Sequence, residues 1–322
     1  MSLPRRAWSA WVDLWDGEES PIVLGSIRVL LGLVVCWDFL QTGSLGVVTE
    51  LFAPTAAGGW STTLDSASPA PWYQLFPATE GSAWGLYALC LGSAVCFTLG
   101  VRARAAAVVL VLAWAQFRWV MPGADRGIDT LCRNALLVLA FSGCGEALTM
   151  EGGWRTLAQR VPSWPRRLLV LQLVAMYFLA GVQKGGFAWY PPGHFAALYF
   201  ILHDPAIAAH DFGFLRQQPF FFLSQVGTAV TVVFQDSYPL VLLLRWWRHT
   251  ADRPGRLRAL ANRYPLEWLW IGTGAFFHVG LAVTTELGIF PWAMLALYPA
   301  FLHPDQVASI RRRMAFRAAA SM

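Results

Sequence analysis

Lys184 is the only lysine among the 24 Lys and Arg residues of the chain, and it closes the apolar run Met176-Tyr177-Phe178-Leu179-Ala180-Gly181-Val182-Gln183. A coding bias toward arginine accounts for the other cations but not for this exception. Arginine keeps its proton at ordinary pH, whereas a lysine in apolar surroundings gives its proton up more readily and can act as a general base. The plainer alternative is an interface anchor, with an apolar stem along the membrane and an ammonium that snorkels to water.

Other polar side chains stand inside apolar runs, where a charge is costly and needs a partner. Asp236 in Phe-Gln-Asp-Ser-Tyr-Pro and His278 in Phe-Phe-His fall near the middle of their runs, so they are expected to face each other. Asp38, Asp129, Arg133 and Asn134 fall, with Lys184, in the outer third. Arg133 with Asp38 or Asp129 reads either as a clamp between helices or as part of a site. Arg28 and Glu146 lie toward inner ends and read as an ion pair or a site. Cys36, Cys90, Cys96, Cys132 and Cys144 show no CxxC spacing and read as buried small hydrophobes. His194, His203 and His210 stand nine and seven residues apart with no Glu among them, so no metal site is expected.

The elements that position these residues follow from composition. Hydrophobic residues make up 56% of the 322, charged residues only 13%, and the mean hydropathy is +0.47. A soluble domain carries about 25% charged residues, so the chain reads as a polytopic membrane protein. Collagenous, disordered, coiled-coil and nucleic-acid-binding classes are excluded. The net charge of +5 resides in cations that flank apolar runs, as membrane orientation demands.

Eight runs are candidate spans of an all-α bundle: 21–42, 82–101, 104–121, 129–148, 167–184, 220–245, 265–285 and 287–303. Eighteen arginines in alternate loops and the two tails fall on one side if both termini are cytoplasmic. The first run starts late and lacks a cleavage site, so it is expected to remain as a signal anchor. Residues 1–16 read as an interfacial amphipathic segment, 17–306 as the bundle, and 307–322 as a basic cytoplasmic tail. Long outer loops are expected at 43–81 and 185–219; the second holds a short apolar stretch, 195–202, after Pro191 and Pro192. No internal repeat suggests a transporter.

Two motifs resemble the horizontally transferred transmembrane (HTTM) family, whose best-known members are the vitamin K-dependent gamma-carboxylases. One is Tyr177-Phe178-Leu179-Ala180-Gly181-Val182-Gln183-Lys184 with Trp189 five residues on; the other is Phe277-His278, then Leu287-Gly288-Ile289-Phe290, Met294-Leu295 and Pro299. Arg28, Asp129 and Asp236 are weaker echoes. Gln183 stands where carboxylases commonly have a second lysine, and Cys132-Arg133-Asn134 near where they carry a histidine.

The resemblance implies a bundle in the bacterial inner membrane in which Lys184 deprotonates a reduced quinone of the vitamin K or menaquinol type. His278 would lie near the reaction, and Trp189, Tyr177, Asp236, Asp129, Arg133, Asn134 and Asp38 would line the substrate or quinone pocket. The reaction class would be a quinol oxygenase coupled to carbon–carbon lyase chemistry on a peptidyl glutamate. The carboxylases continue into a lumenal domain that holds the substrate propeptide. This sequence stops after the eighth run and a short tail, so a peptide or protein substrate would need a separate extracytoplasmic subunit. The competing reading is a non-catalytic membrane helper in peptide or toxin maturation, export or lipid handling.

Overall fold

The computed structural model describes residues 8–9, 12–13, 15–61, 76–77, 79–150, 159–304 and 307. Among these residues the protein is helical, apart from one two-residue antiparallel pair and an isolated bridge between Ala208 and Thr285. The segment expected at 1–16, the middle of the loop 43–81 and the tail 307–322 lie wholly or largely outside the described residues. The chain divides into two compact units, Met1–Leu169 with Pro299–Met322, and Val170–Tyr298.

Among the described residues four helices are long and apolar enough to cross a membrane: α1 (Ile22–Ser44), α3 (Glu80–Leu99), α4 (Ala103–Val120) and α6 (Trp164–Val182). Short α2 (Val48–Phe52) follows α1, and α5 (Gly127–Ala140) follows α4. In the first unit α1 packs on α3, α3 on α4, and α4 on α5. Gly25 and Gly32 permit this approach, because a Cβ at either would meet Ala147 or Thr98. Phe39 of α1 packs edge-on to Trp114 of α4, with ring centroids 5.5 Å apart.

Arg28 of α1 is fully buried and organises this unit. Its guanidinium donates to five backbone carbonyls: Phe97 and Thr98 at 2.6 and 2.5 Å, Cys144 at 3.0 Å, Ala147 at 3.2 Å and Leu148 at 2.5 Å. The first two belong to the last turn of α3, where carbonyls have no intrahelical partner. Gly100, at φ +80°, turns the chain there in the left-handed region. The expected ion pair with Glu146 is not formed; Glu146 lies 3.7 Å from Arg104 instead. The same interaction shortens the run expected at 129–148. Helix α5 stops at Ala140, because residues 141–148 wind past the guanidinium as turns and present their carbonyls to it.

A second clamp gathers the rest of the unit. Strand β1 (Glu18–Glu19) pairs with β2 (Val161–Pro162), and Arg166 at the start of α6 makes a bidentate pair with Glu19, at 2.7–2.9 Å. Arg166 also donates to the Ala300 carbonyl at 3.2 Å.

The second unit holds the remainder of α6, then α7 (Ala197–His203), which falls on the apolar stretch expected at 195–202. Two bent pairs follow: α8 (Phe220–Asp236) with α9 (Leu240–His249), at 47°, and α10 (Arg256–Arg263) with α11 (Glu267–Thr284), at 52°. Pro239 and Pro265 stand in the two breaks, each lacking the N–H that would continue a helix. Arg248 of α9 reaches Glu267 of α11 at 2.6 Å. Helix α12 (Phe290–Leu297) closes the unit. With each bent pair taken as one span the candidate membrane helices number six, and α5 and α12 are too short to be added by length.

Replacing Arg28 by Met takes a donor from five carbonyls: Phe97 keeps the Gly100 N–H at 3.1 Å, whereas Thr98 and Leu148, half-buried, and Cys144 and Ala147, buried, lose theirs. We expect a loss of about 3 kcal/mol or more, at 1–3 kcal/mol for each buried group left unsatisfied. Lysine, with three donors on one atom, should recover less than half. The check is the thermal unfolding of the detergent-solubilised variants.

Candidate functional site

The residues expected to do chemistry fall into two sets, one in each unit. In the second unit Lys184 stands two residues beyond α6, outside the span, and is half-buried. Its Nζ donates to the Ala180 carbonyl at 2.8 Å and to Gln235 Oε1, and lies 4.7 Å from the centre of the Trp189 ring. Gln235 and Asp236 end α8, so the ammonium sits at the carbonyl ends of two helices, where the backbone dipole favours a cation. Gly181 lets α8 come this close, since a Cβ there would overlap the Asp236 carboxylate. Burial pushes the Lys184 ammonium below its ordinary range, and Asp236 opposes the shift in part.

The arrangement suits proton transfer in one direction. Before transfer, burial favours the neutral amine. After it, two acceptors, an indole face and a nearby carboxylate all stabilise the ammonium. The cation–π contact contributes about 0.5–2 kcal/mol of that preference.

His278 does not meet Asp236, its partner as expected from the sequence. Asp236 is exposed and lies against Gly181, while His278 is fully buried with Nε2 2.6 Å from the Tyr177 hydroxyl. That hydroxyl is also 2.6 Å from the Tyr298 hydroxyl. Gly274, one turn before His278 on α11, gives the hydroxyls their space; a Cβ there would fall on Tyr298. The Tyr177 ring stacks on Tyr238, with centroids 4.2 Å apart. His278 Nδ1 has no hydrogen-bond partner among the described residues. Orphaned buried N–H groups are the rarer kind, so the network assigns the proton to Nε2, which donates to Tyr177, and Tyr177 donates to Tyr298.

In the first unit Arg133 pairs with Asp125, at 2.6 and 2.9 Å, rather than with Asp38 or Asp129. Those two carboxylates go to Arg126, at 2.6 and 2.8 Å. Asp129 also accepts the Arg126 backbone N–H at 2.8 Å, which fixes the start of α5. Asn134 is exposed on α5. Arg126 therefore ties Asp38 of α1 to Asp129 of α5, Arg133 is held separately by Asp125, and Lys184 contacts Ala180, Gln235 and Trp189 of the second unit.

Sequence reasoning missed Asp125, Arg126 and Tyr298. Asp125 and Arg126 lie in the short connection before α5, where the only signal was an acidic residue, Asp129, in the first turn of the helix. Tyr298 had no local signal, because its contact with Tyr177 joins residues 121 apart in sequence. No family model matches this chain, and no solved structure matches it.

The Tyr177–His278 contact is testable by a double-mutant cycle with Tyr177→Phe and His278→Phe. Contacting buried groups show interaction energies of about 0.5–3 kcal/mol, and we expect a value in that range from detergent unfolding. Additive losses would show that the two groups act independently.

Proposed function

We propose that this is a multi-pass membrane enzyme of the HTTM type, with Lys184 as the proton acceptor. The observation that carries the reading is the Lys184 environment: a half-buried amine whose contacts all favour the protonated product. The resemblance of the two motifs supplies the reaction class, a quinol-linked oxygenation of the carboxylase kind acting on a peptide or protein substrate. His278 would orient substrate or an oxyanion through the Tyr177 chain.

The second unit offers residues that suit a reduced quinone. Lys184 and Trp189 provide a base and a ring face, and an apolar groove of about 360 Å³ between α8 and α11, lined by Val233, Phe234, Leu269 and Trp270, suits an isoprenoid tail. When bound, the quinol would supply reducing equivalents for oxygen. Lys184 would take a proton from a hydroxyl group, the Gln235 amide oxygen and the Ala180 carbonyl would hold the resulting ammonium, and Trp189 would shield it from water.

The finer topology belongs to this proposal: eight spans in the bacterial inner membrane, with the short helices α5 and α12 completed by their flanking turns and both termini cytoplasmic. The arginine distribution supports it. Reporter fusions at either terminus should give a cytoplasmic signal, and a fusion after His210 the opposite one. A cytoplasmic signal from His210 would remove the eight-span arrangement.

One observation favours the non-catalytic reading. Lys184 Nζ bonds the carbonyl of Ala180, four residues back, which is what a lysine does when it only caps its own helix. Arginine separates the two. It keeps the cation but not the titration, so Lys184→Arg should fail as badly as Lys184→Ala if the amine is a base, by a factor of about 10² to 10⁴. The measurement is quinol-dependent oxygen uptake at matched membrane abundance. Full activity of the Arg variant would leave Lys184 as a cap.

A further inference from the structure

We propose that the first unit binds the phosphate-bearing headgroup of an anionic membrane phospholipid in the cavity between α1, α2 and α4. The cavity measures about 180 Å³, some six water volumes at about 30 Å³ each, which suits a phosphate ester with its tails left outside. Phe39, Leu51, Phe52 and Phe117 form its apolar wall, and Arg118 and Arg126 stand on its polar side.

The charges are sorted by exposure. The Arg118 and Arg126 side chains are 59% and 43% exposed, whereas the three carboxylates of the lining, Asp38, Asp125 and Asp129, are 17%, 9% and 5% exposed. Those carboxylates are already engaged, Asp125 by Arg133, and Asp38 and Asp129 by Arg126. A ligand in the cavity therefore meets guanidinium first. Among the described residues, Arg118 makes one ion pair, through Nε at 3.4 Å from Asp125, which leaves Nη1 and Nη2 of this lining residue available to a ligand. A planar fork of two such donors matches phosphate oxygens. An amine headgroup alone fits less well, because each carboxylate that would receive it already holds an arginine.

The depth of the cavity commits the occupant to a lipid. It lies where α1 runs out at Ser44, α4 ends at Val120 and α5 begins at Gly127. Two tryptophans mark the same level: Trp84 donates its indole N–H to Thr49 of α2 at 3.2 Å, and Trp60 is held to α2 by its backbone N–H, which donates to the Glu50 carbonyl at 2.8 Å. Both rings are well exposed. Exposed indoles gather at the membrane–water interface. Leu51 and Phe52 of that same helix line the cavity.

The test uses the full chain, purified in detergent and stripped of lipid, with dioleoylphosphatidylglycerol adducts counted by native mass spectrometry. We expect Arg118→Gln to weaken binding about tenfold, the size of one lost charge-assisted hydrogen bond. Arg216→Gln, which removes an exposed arginine from the second unit, should not weaken it. Leu51→Trp should abolish binding by filling the cavity while leaving the guanidinium groups in place, with unfolding temperature as the check on folding. Equal binding by the wild type and the Arg118→Gln variant would overturn the proposal. So would equal binding of dioleoylglycerol, which lacks the phosphate. A rise in unfolding temperature with inorganic phosphate as large as that with phosphatidylglycerol would overturn the lipid assignment in favour of a free anion.

Discussion

A helix that ends within or beside a hydrocarbon layer leaves its last carbonyls with no water to receive, and each must find a donor inside the protein. The first unit depends on one answer to that constraint. Arg28 brings a planar set of N–H groups to five carbonyls from two separate stretches, the end of α3 and residues 144–148. Among the described residues no carboxylate pairs with it, and the partial negative charge on oriented peptide groups faces the cation. The shortness of α5, the turns after it, the left-handed Gly100 and the close approach of α1 through Gly25 and Gly32 are all arrangements that keep those carbonyls aimed at one point.

The second unit meets the same constraint with a different side chain. Helices α6 and α8 both finish near Lys184, and the ammonium takes one backbone carbonyl and one side-chain amide oxygen. The two cations differ in their surroundings: Arg28 is fully buried and held by backbone carbonyls, whereas Lys184 is half-buried with an indole and a carboxylate beside it.

Lys184 and the short helix α7 were legible in the sequence, the first from its uniqueness and position after an apolar run, the second from a brief apolar stretch bounded by prolines. The four long helices were legible from length and hydropathy. The partners of the charged groups were not. Arg28 binds carbonyls, which every residue carries and which leave no mark in sequence. His278 and Asp236 were both placed at mid-depth, but depth says nothing about the direction in which a helix face turns. Gly274 and His278 share a face of α11 that opens toward Tyr177 and Tyr298. Asp125 and Arg126 sit in a connection between helices, where hydropathy is uninformative.

The position of Arg28 also bears on how the chain is made. Helix α1 emerges first, when neither the end of α3 nor residues 144–148 yet exists. An arginine at a helix centre costs about 2.5–3.5 kcal/mol on insertion, and α1, with its arginine seven residues from its start, bears a part of that penalty alone. Its first carbonyl partners, Phe97 and Thr98, lie 69 and 70 residues further along the chain, and the last, Leu148, 120 residues further. Until then α1 has reason to stay at the protein-lined edge of the insertion machinery instead of diffusing into lipid, so that membrane integration and tertiary packing become one coupled step for this half of the molecule.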